Sequence, residues 1–352
     1  RRVIGDAIDS AADMNVVGTA SDGDEAITKF RDLKPDVVTL DMQRPGKNGL
    51  EVLAELLEID PTPVIMVSSL TQRAAEITLS ALDSGAVDYL GKPENAQQLE
   101  HVLHDELIKK IRASAYTDVR QVMQIRRNRK MRVASTGKGS SPSRPKVDVE
   151  ELNGACIAIG ISTGGPPALS YLFESLVPPL PPIVVVQQMP QQFTGPFAER
   201  LNRASQLSIK EASTGDVLQP NHVLIAPGGK HLHLREKSGR VIVEIADGEP
   251  VCCHKPSVDV MMKCAAQIFR ERCLGVIMTG MGRDGADGCR AVKANGGYVL
   301  GQDQATSDVY GMNKVAFTDG SVHEQFSLED APTAITAGLS RLRRSPAMAG
   351  AR

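Results

Sequence analysis

Aromatic residues make up only 3% of this 352-residue chain, and tryptophan is absent. That argues against base-stacking platforms and so against nucleic acid as a partner. An excess of one charge is missing too: the formal net charge is −2, which gives no strong pull toward nucleic acid or an anionic membrane surface. No apolar run approaches the roughly 20 residues that cross a bilayer, so the chain is not expected to be membrane-embedded. No signal peptide is read before the first apolar stretch, and a start at Arg1 rather than methionine points to an incomplete N-terminus. The six cysteines (Cys156, Cys252, Cys253, Cys264, Cys273 and Cys289) show no CxxC spacing. A zinc site is therefore not expected, and the thiols read as reduced, mostly buried groups of a cytoplasmic protein. What is present is globular: 41% hydrophobic and 23% charged residues, in a chain long enough for two domains.

Residues 1–112 alternate short β-branched runs with amphipathic stretches. Strands are expected at Asn15–Ala20, Asp36–Asp41, Pro63–Ser69 and Asp88–Gly91, and helices near Asp24–Leu33, Leu50–Ile59, Thr71–Ser84 and Ala96–Arg112. That pattern predicts βα units around a parallel sheet, with Gly85 as a helix C-cap. Residues 113–150 differ. Lys and Arg occur between Arg120 and Lys146 without any Asp or Glu, ending in the polar stretch Ser135–Ser143. This reads as a short basic helix and a solvated tether. Alternation resumes over 151–345, with apolar runs at Ala155–Ile161, Ile183–Val186, Val223–Ala226, Val241–Ile245 and Leu274–Met278; the end, Arg341–Arg352, reads as frayed.

In the first domain Asp41 ends one predicted strand, Ser68 ends the next, and Lys92-Pro93 follows the last. A carboxylate, a hydroxyl and an ammonium on neighbouring strand ends lie where open α/β sheets bind ligands. Asp41 would be the nucleophile toward a phosphoryl group, with Ser68 and Lys92 binding its oxygens. In order and spacing these residues resemble the receiver domain of two-component response regulators. The resemblance implies a flavodoxin-like fold, Mg²⁺ as the cofactor of phosphorylation, and a kinase as phosphoryl donor. It also exposes a departure. Arg1-Arg2-Val3-Ile4-Gly5-Asp6 matches the family's first helix, so the central strand and its pair of Mg²⁺-holding acids are missing, and a gap in the sheet is expected. Asp41-Met42-Gln43-Arg44-Pro45 also departs from the family's acidic-Met-Pro stretch. Apart from Asp41, no metal ligand is expected.

In the second domain an apolar run feeds Gly160-Ile161-Ser162-Thr163-Gly164-Gly165, followed by Pro166-Pro167-Ala168. A hydroxyl at such a turn, before a helix start, is placed to attack a carbonyl, with backbone N–H groups nearby for an oxyanion. A phosphate-binding loop is the competing reading, but neither GxGxxG nor a Walker lysine is present. Two further segments converge on the same reading: Ile183–Pro190, and Gly275–Gly285, whose single acid Asp284 could orient a base.

Together these segments resemble the chemotaxis protein-glutamate methylesterase (CheB) family, as do Phe197–Asn202, Ile225–His231 and Lys255–Asp259. The resemblance implies a truncated receiver followed by a doubly wound parallel-sheet catalytic domain, an α/β architecture throughout. It implies hydrolysis of glutamate methyl esters, and deamidation of glutamines, on methyl-accepting chemoreceptors, with no cofactor for the esterase. Ser162 matches the nucleophile, Asp284 the acid, and Thr163 and Met281 the oxyanion donors. Phosphorylation of Asp41 by the chemotaxis histidine kinase would relieve blocking of the cleft.

One residue breaks the pattern. The family has Gln-His-Met-Pro where this chain has Gln187-Gln188-Met189-Pro190. A carboxamide cannot take the serine proton, and loss of general-base assistance costs roughly 10²–10⁴ in rate. His222, His231, His233 and His254 are the alternatives within the domain. The competing functions are therefore an impaired esterase and a non-catalytic regulator that binds receptors or kinase. A transcription regulator lacks support, because no basic helix-turn-helix pattern is present.

Overall fold

The computed structural model describes residues 2–42, 47–92, 106–115, 117–136 and 154–342. The expected start of the helix at Ala96, the segment Gln43–Pro45, most of the polar tether and the tail beyond Leu342 lie outside them. The chain divides into two compact units, Arg1–Arg126 and Arg127–Arg352.

The first unit contains α1 (Arg2–Asp9), α2 (Gly23–Leu33), β1 (Val38–Asp41), α3 (Gly49–Ile59), β2 (Val64–Ser69), α4 (Gln72–Ser84), β3 (Asp88–Lys92) and α5 (Ile108–Ala115). The basic stretch forms α6 (Val119–Thr136). Helix starts follow local chemistry. Asp22 caps α2 and Thr71 caps α4, while Asn48 and Glu51 form a reciprocal capping box at α3. Gly85 ends α4 at φ 125°, as its type predicts. The three strands are parallel, in the order β1-β2-β3.

The fourth strand expected here does not form. Residues 15–20 carry the β-branched composition of a strand but join no ladder. A cavity of about 490 Å³ lies between them and β1, lined also by Ile4, Ile8, Phe30 and Ile111. A strand is defined by backbone pairing, and a segment facing a gap has no N–H and C=O row to pair with. The gap is the one expected from the missing central strand.

The second unit contains β4 (Cys156–Ile161), α7 (Gly165–Ser175), β5 (Ile183–Gln187), α8 (Gln191–Ala204), β6 (Ser208–Glu211), β7 (His222–Ile225), β8 (His231–Lys237), β9 (Arg240–Ala246), α9 (Val258–Phe269), β10 (Cys273–Ile277), α10 (Ala286–Ala294), β11 (Tyr298–Gln302), α11 (Met312–Thr318), β12 (Glu324–Phe326) and α12 (Ala331–Leu342). Seven strands form one sheet in the order β12-β11-β10-β4-β5-β7-β6, every neighbouring pair parallel. All residues of β4, β5 and β10 are buried, which is why these strands read as continuous apolar runs rather than alternating ones. The run Val241–Ile245 belongs elsewhere: β9 pairs antiparallel with β8 in a separate two-stranded ribbon. Leu232, Leu234 and Val243 of that ribbon pack into the same core as Met261 and Met262 of α9.

β4 is the pivot. The chain moves from β4 to β5 on one side and later returns to β10 on the other, so the carboxyl ends of β4, β5 and β10 border one crevice. α9 packs closely over β4: a Cβ added at Gly160 would overlap Val258 Cγ1. Gly160→Ala is therefore expected to lower the stability of the second unit by about 1–3 kcal/mol, read as a lower urea midpoint with an unchanged m-value.

Candidate functional site

Ser162 follows the last residue of β4, and Ile161 pairs with Gln187 of β5. Ser162 and Gln188 therefore sit one step beyond the sheet on adjacent strands. The serine backbone is fixed from two sides. Its N–H donates to Thr279 O (3.0 Å), and its carbonyl accepts from Gln187 Nε2 (3.1 Å). Thr279 also latches the neighbouring loop, donating from Oγ1 to Thr163 O (3.0 Å) while accepting from Val309 N. Gly164 turns the chain into α7 at φ 77°, a conformation that favours glycine. A Cβ there would also lie 2.6 Å from that of Asp308.

The donors of this turn can be narrowed. Ser162 N–H is committed to Thr279, Gly165 N–H donates to Ser162 O (2.8 Å), and Pro166 and Pro167 carry none. Thr163 and Gly164 follow the serine at the positive end of the α7 dipole, with Met281 in the facing loop.

Asp284 is 1% exposed and receives four donors. Ser257 Oγ (2.8 Å) and Asp259 N (3.0 Å) reach Oδ1; Val258 N (2.8 Å) and Gln188 Nε2 (2.6 Å) reach Oδ2. Three of these come from the first turn of α9 and its N-cap, where a carboxylate is favoured by unpaired N–H groups and the helix dipole. The fourth is Gln188. The structure thus joins residue 188 to Asp284 and leaves Ser162 Oγ without a hydrogen bond to either. Gln188 Oε1 is buried without a partner among the described residues.

The alternative histidines are engaged elsewhere. His231 lies 3.0 Å from Glu249 O through Nε2 and accepts from Ser257 N (3.3 Å) through Nδ1, so both ring nitrogens are used. His233 Nδ1 faces Cys264 Sγ at 3.6 Å, and burial, followed by the nearby His231, lowers its pKa. His222 is half-buried and stands at the opposite end of its strand, beside Pro220 O. His254 closes a backbone turn with Val251.

In the first unit Lys92 Nζ meets Asp41 Oδ2 at 2.6 Å, both side chains about one-third exposed. Ser68 is fully buried, and its hydroxyl accepts from Thr78 Oγ1 (2.9 Å). The neighbouring Ser69, paired in register with Lys92, holds a buried hydroxyl without a partner among the described residues. Ser69, Thr279, Gln187 and Ser257 were not singled out from sequence. Each is polar at the end of an apolar run or at a helix N-cap, and that is the signal that could have found them.

A three-stranded receiver-type unit, followed by a doubly wound parallel sheet with a serine at its switch point, defines the class of protein. Comparison with known proteins gives the family. Residues 157–335 match the CheB methylesterase family and residues 1–104 the response regulator receiver domain. A protein-glutamate methylesterase/protein-glutamine glutaminase of Caulobacter vibrioides is 41% identical over 93% of this chain and 91% of its own length. One from Methanococcus maripaludis is 36% identical over 95% and 93%. The crystal structure of the Thermotoga maritima CheB methylesterase catalytic domain superimposes with a TM-score of 0.52 at 37% identity, covering 53% of this chain and 98% of that one. The chain belongs to the CheB methylesterase family.

The N-cap hydroxyl of α9 serves both the helix and Asp284, since Ser257 Oγ also accepts from Val260 N (3.4 Å). Ser257→Ala is expected to cost about 1–3 kcal/mol, measured by chemical denaturation. A stability equal to wild type would mean that the cap and the acid are held by other contacts.

Proposed function

We propose that this protein hydrolyses the side-chain methyl esters of glutamate, and the side-chain amides of glutamine, on methyl-accepting chemoreceptors, acting in the cytoplasm under control of its receiver unit. The observation that carries the reading is the convergence of Ser162, the N–H-rich turn after it and the buried Asp284 at the carboxyl ends of three adjacent strands. Ser162 Oγ attacks the ester or amide carbonyl carbon. Backbone N–H groups of Thr163 and Met281 receive the developing oxyanion. Methanol or ammonia leaves, and water then releases the carboxylate. No cofactor enters these steps.

The proton of Ser162 has no basic acceptor at residue 188. Gln188 donates to Asp284 as an imidazole would, but it cannot carry a proton onward. This one bond favours a second reading: a receptor-binding regulator with slow or no turnover.

In the receiver unit Asp41 is the proposed phosphoryl acceptor for the chemotaxis histidine kinase. Lys92 and Ser68 are the proposed phosphoryl-binding groups, and the Asp41–Lys92 ion pair supports that reading. The residues present do not fit Mg²⁺. Asp41 belongs to no group of three metal-capable side chains among the described residues. Nucleic acid is not a proposed partner, and no described helix is long and apolar enough to cross a membrane.

Methanol release from methylated receptor tests the reading with three proteins. Ser162→Ala abolishes whatever turnover the wild type has. Gln188→His raises turnover by roughly 10²–10⁴-fold, with a rate that climbs as the new imidazole loses its proton near its ordinary pKa of about 6.5. Undiminished turnover in Ser162→Ala, or a Gln188→His protein no faster than wild type, would falsify the assignment of the cleft.

A further inference from the structure

His231 is one of the histidines that could replace a base at residue 188, and its surroundings give it a different role. It opens β8 and is 4% exposed. The ring bridges the two ends of the loop that runs from Glu249 to Ser257. Nδ1 faces Ser257 N (3.3 Å) and Nε2 faces Glu249 O (3.0 Å). A backbone N–H can only donate and a carbonyl can only accept, so Nδ1 carries the lone pair and Nε2 the proton. The ring also packs on Gly248, where an added Cβ would lie 3.3 Å from His231 Cδ2. The same loop is tied again by Gly229 N, which donates to Lys255 O (3.0 Å), and by Lys255 Nζ, which meets Asp247 Oδ1 at 2.6 Å.

The end of that loop is where α9 begins, with Ser257 as its N-cap. Three consecutive amides leave the helix start for outside acceptors. Ser257 N–H donates to His231, while Val258 N–H and Asp259 N–H donate to Asp284. Ser257 Oγ adds another bond to the same carboxylate. Three of the four donors to Asp284 therefore ride on a segment whose first amide the imidazole holds. First-turn N–H groups have no partner within their own helix, so outside acceptors fix where the segment sits. For these three amides the acceptors are Asp284 and His231.

We propose that His231 is a positioning residue for the hydrolytic reaction: it fixes Ser257, and through Ser257 the side chain of Asp284. The inference rests on the reading of Asp284 as the acid of the cleft. It gives His231 no proton to transfer, since both ring nitrogens are engaged and the ring is enclosed by protein. Loss of the Nδ1 acceptor strands the Ser257 N–H and frees the loop end to shift. A displacement of about 1 Å, even away from the chemistry, can cost on the order of 10²-fold in rate. The effect falls on kcat rather than KM, because the buried ring does not touch substrate.

Two variants separate the ring's two bonds. His231→Asn keeps an acceptor oxygen toward Ser257, and His231→Gln keeps a donor toward Glu249. Both are made in the full-length Gln188→His protein, with folding checked by circular dichroism. Methanol release from methylated receptor gives kcat and KM. Proton NMR gives the pKa of the imidazole introduced at residue 188, which the neighbouring Asp284 carboxylate lifts above its ordinary value of about 6.5. His231→Asn is expected to keep both the rate and that pKa. His231→Gln is expected to lower kcat roughly tenfold to a hundredfold at unchanged KM, and to return the pKa toward its ordinary value. Equal behaviour of the two variants, or an unmoved pKa in a folded His231→Gln, overturns the proposal. So does a His231→Asn protein that loses rate, loses the raised pKa or does not fold. If only His231→Gln fails to fold, His231→Asn decides by the same two readouts. The pKa needs no turnover, so failure of the hydrolase reading, seen as no methanol from any of these proteins or release undiminished by Ser162→Ala, stays distinct from failure of the positioning role.

Discussion

The second unit depends on one buried carboxylate. Asp284 ties the loop after β10 to the start of α9 through Ser257, Val258 and Asp259, and to the end of β5 through Gln188. An ionised group this deep is tolerable only when its lone pairs are met by donors. Two of the four are backbone N–H groups of a helix start, Val258 and Asp259, supplied at no side-chain entropy cost. Asp259 repeats the device in the opposite direction, its Oδ1 accepting from Gly285 and Gly288 at the start of α10. Two acids, each capping the element that carries the other, hold α9 and α10 in register beside β4.

That reciprocal arrangement explains how a family member can keep its shape while its base position is a carboxamide. The network asks residue 188 for one N–H donor to Asp284. Glutamine supplies it as well as imidazole does, and its cost falls on proton transfer rather than on the fold. What it leaves behind is a buried oxygen, Oε1, without a partner among the described residues. A core-directed selection would remove such an orphan, since it costs roughly 1–3 kcal/mol.

Much of this was legible in the sequence because the strands are buried on both faces. Continuous runs such as Ile183–Val186 and Leu274–Met278 announce themselves, and the residues just past them are the site. The parallel character of the sheet also followed from alternation with helices. Other features were hidden for physical reasons. β9 looked like another core strand, but a five-residue apolar run does not say whether its partner is parallel or antiparallel. Residues 15–20 looked like a strand because composition records propensity, whereas pairing needs a neighbour. Ser257 and Thr279 were invisible because their roles depend on which loops meet, and no local pattern encodes that. The bond between Gln188 and Asp284 was open to inference from the family pattern; the commitment of both His231 nitrogens to Glu249 and Ser257 was not.

The position of β4 has a consequence for how the chain is made. It leaves the ribosome with β5 soon available on one flank, but its other neighbour, β10, does not exist until Cys273 has been synthesised. Until then a fully apolar strand keeps one edge open, and such edges template wrong pairings. Nascent chains paused between Ile183 and Cys273 are therefore the species most exposed to aggregation, and the ones for which holding chaperones matter most.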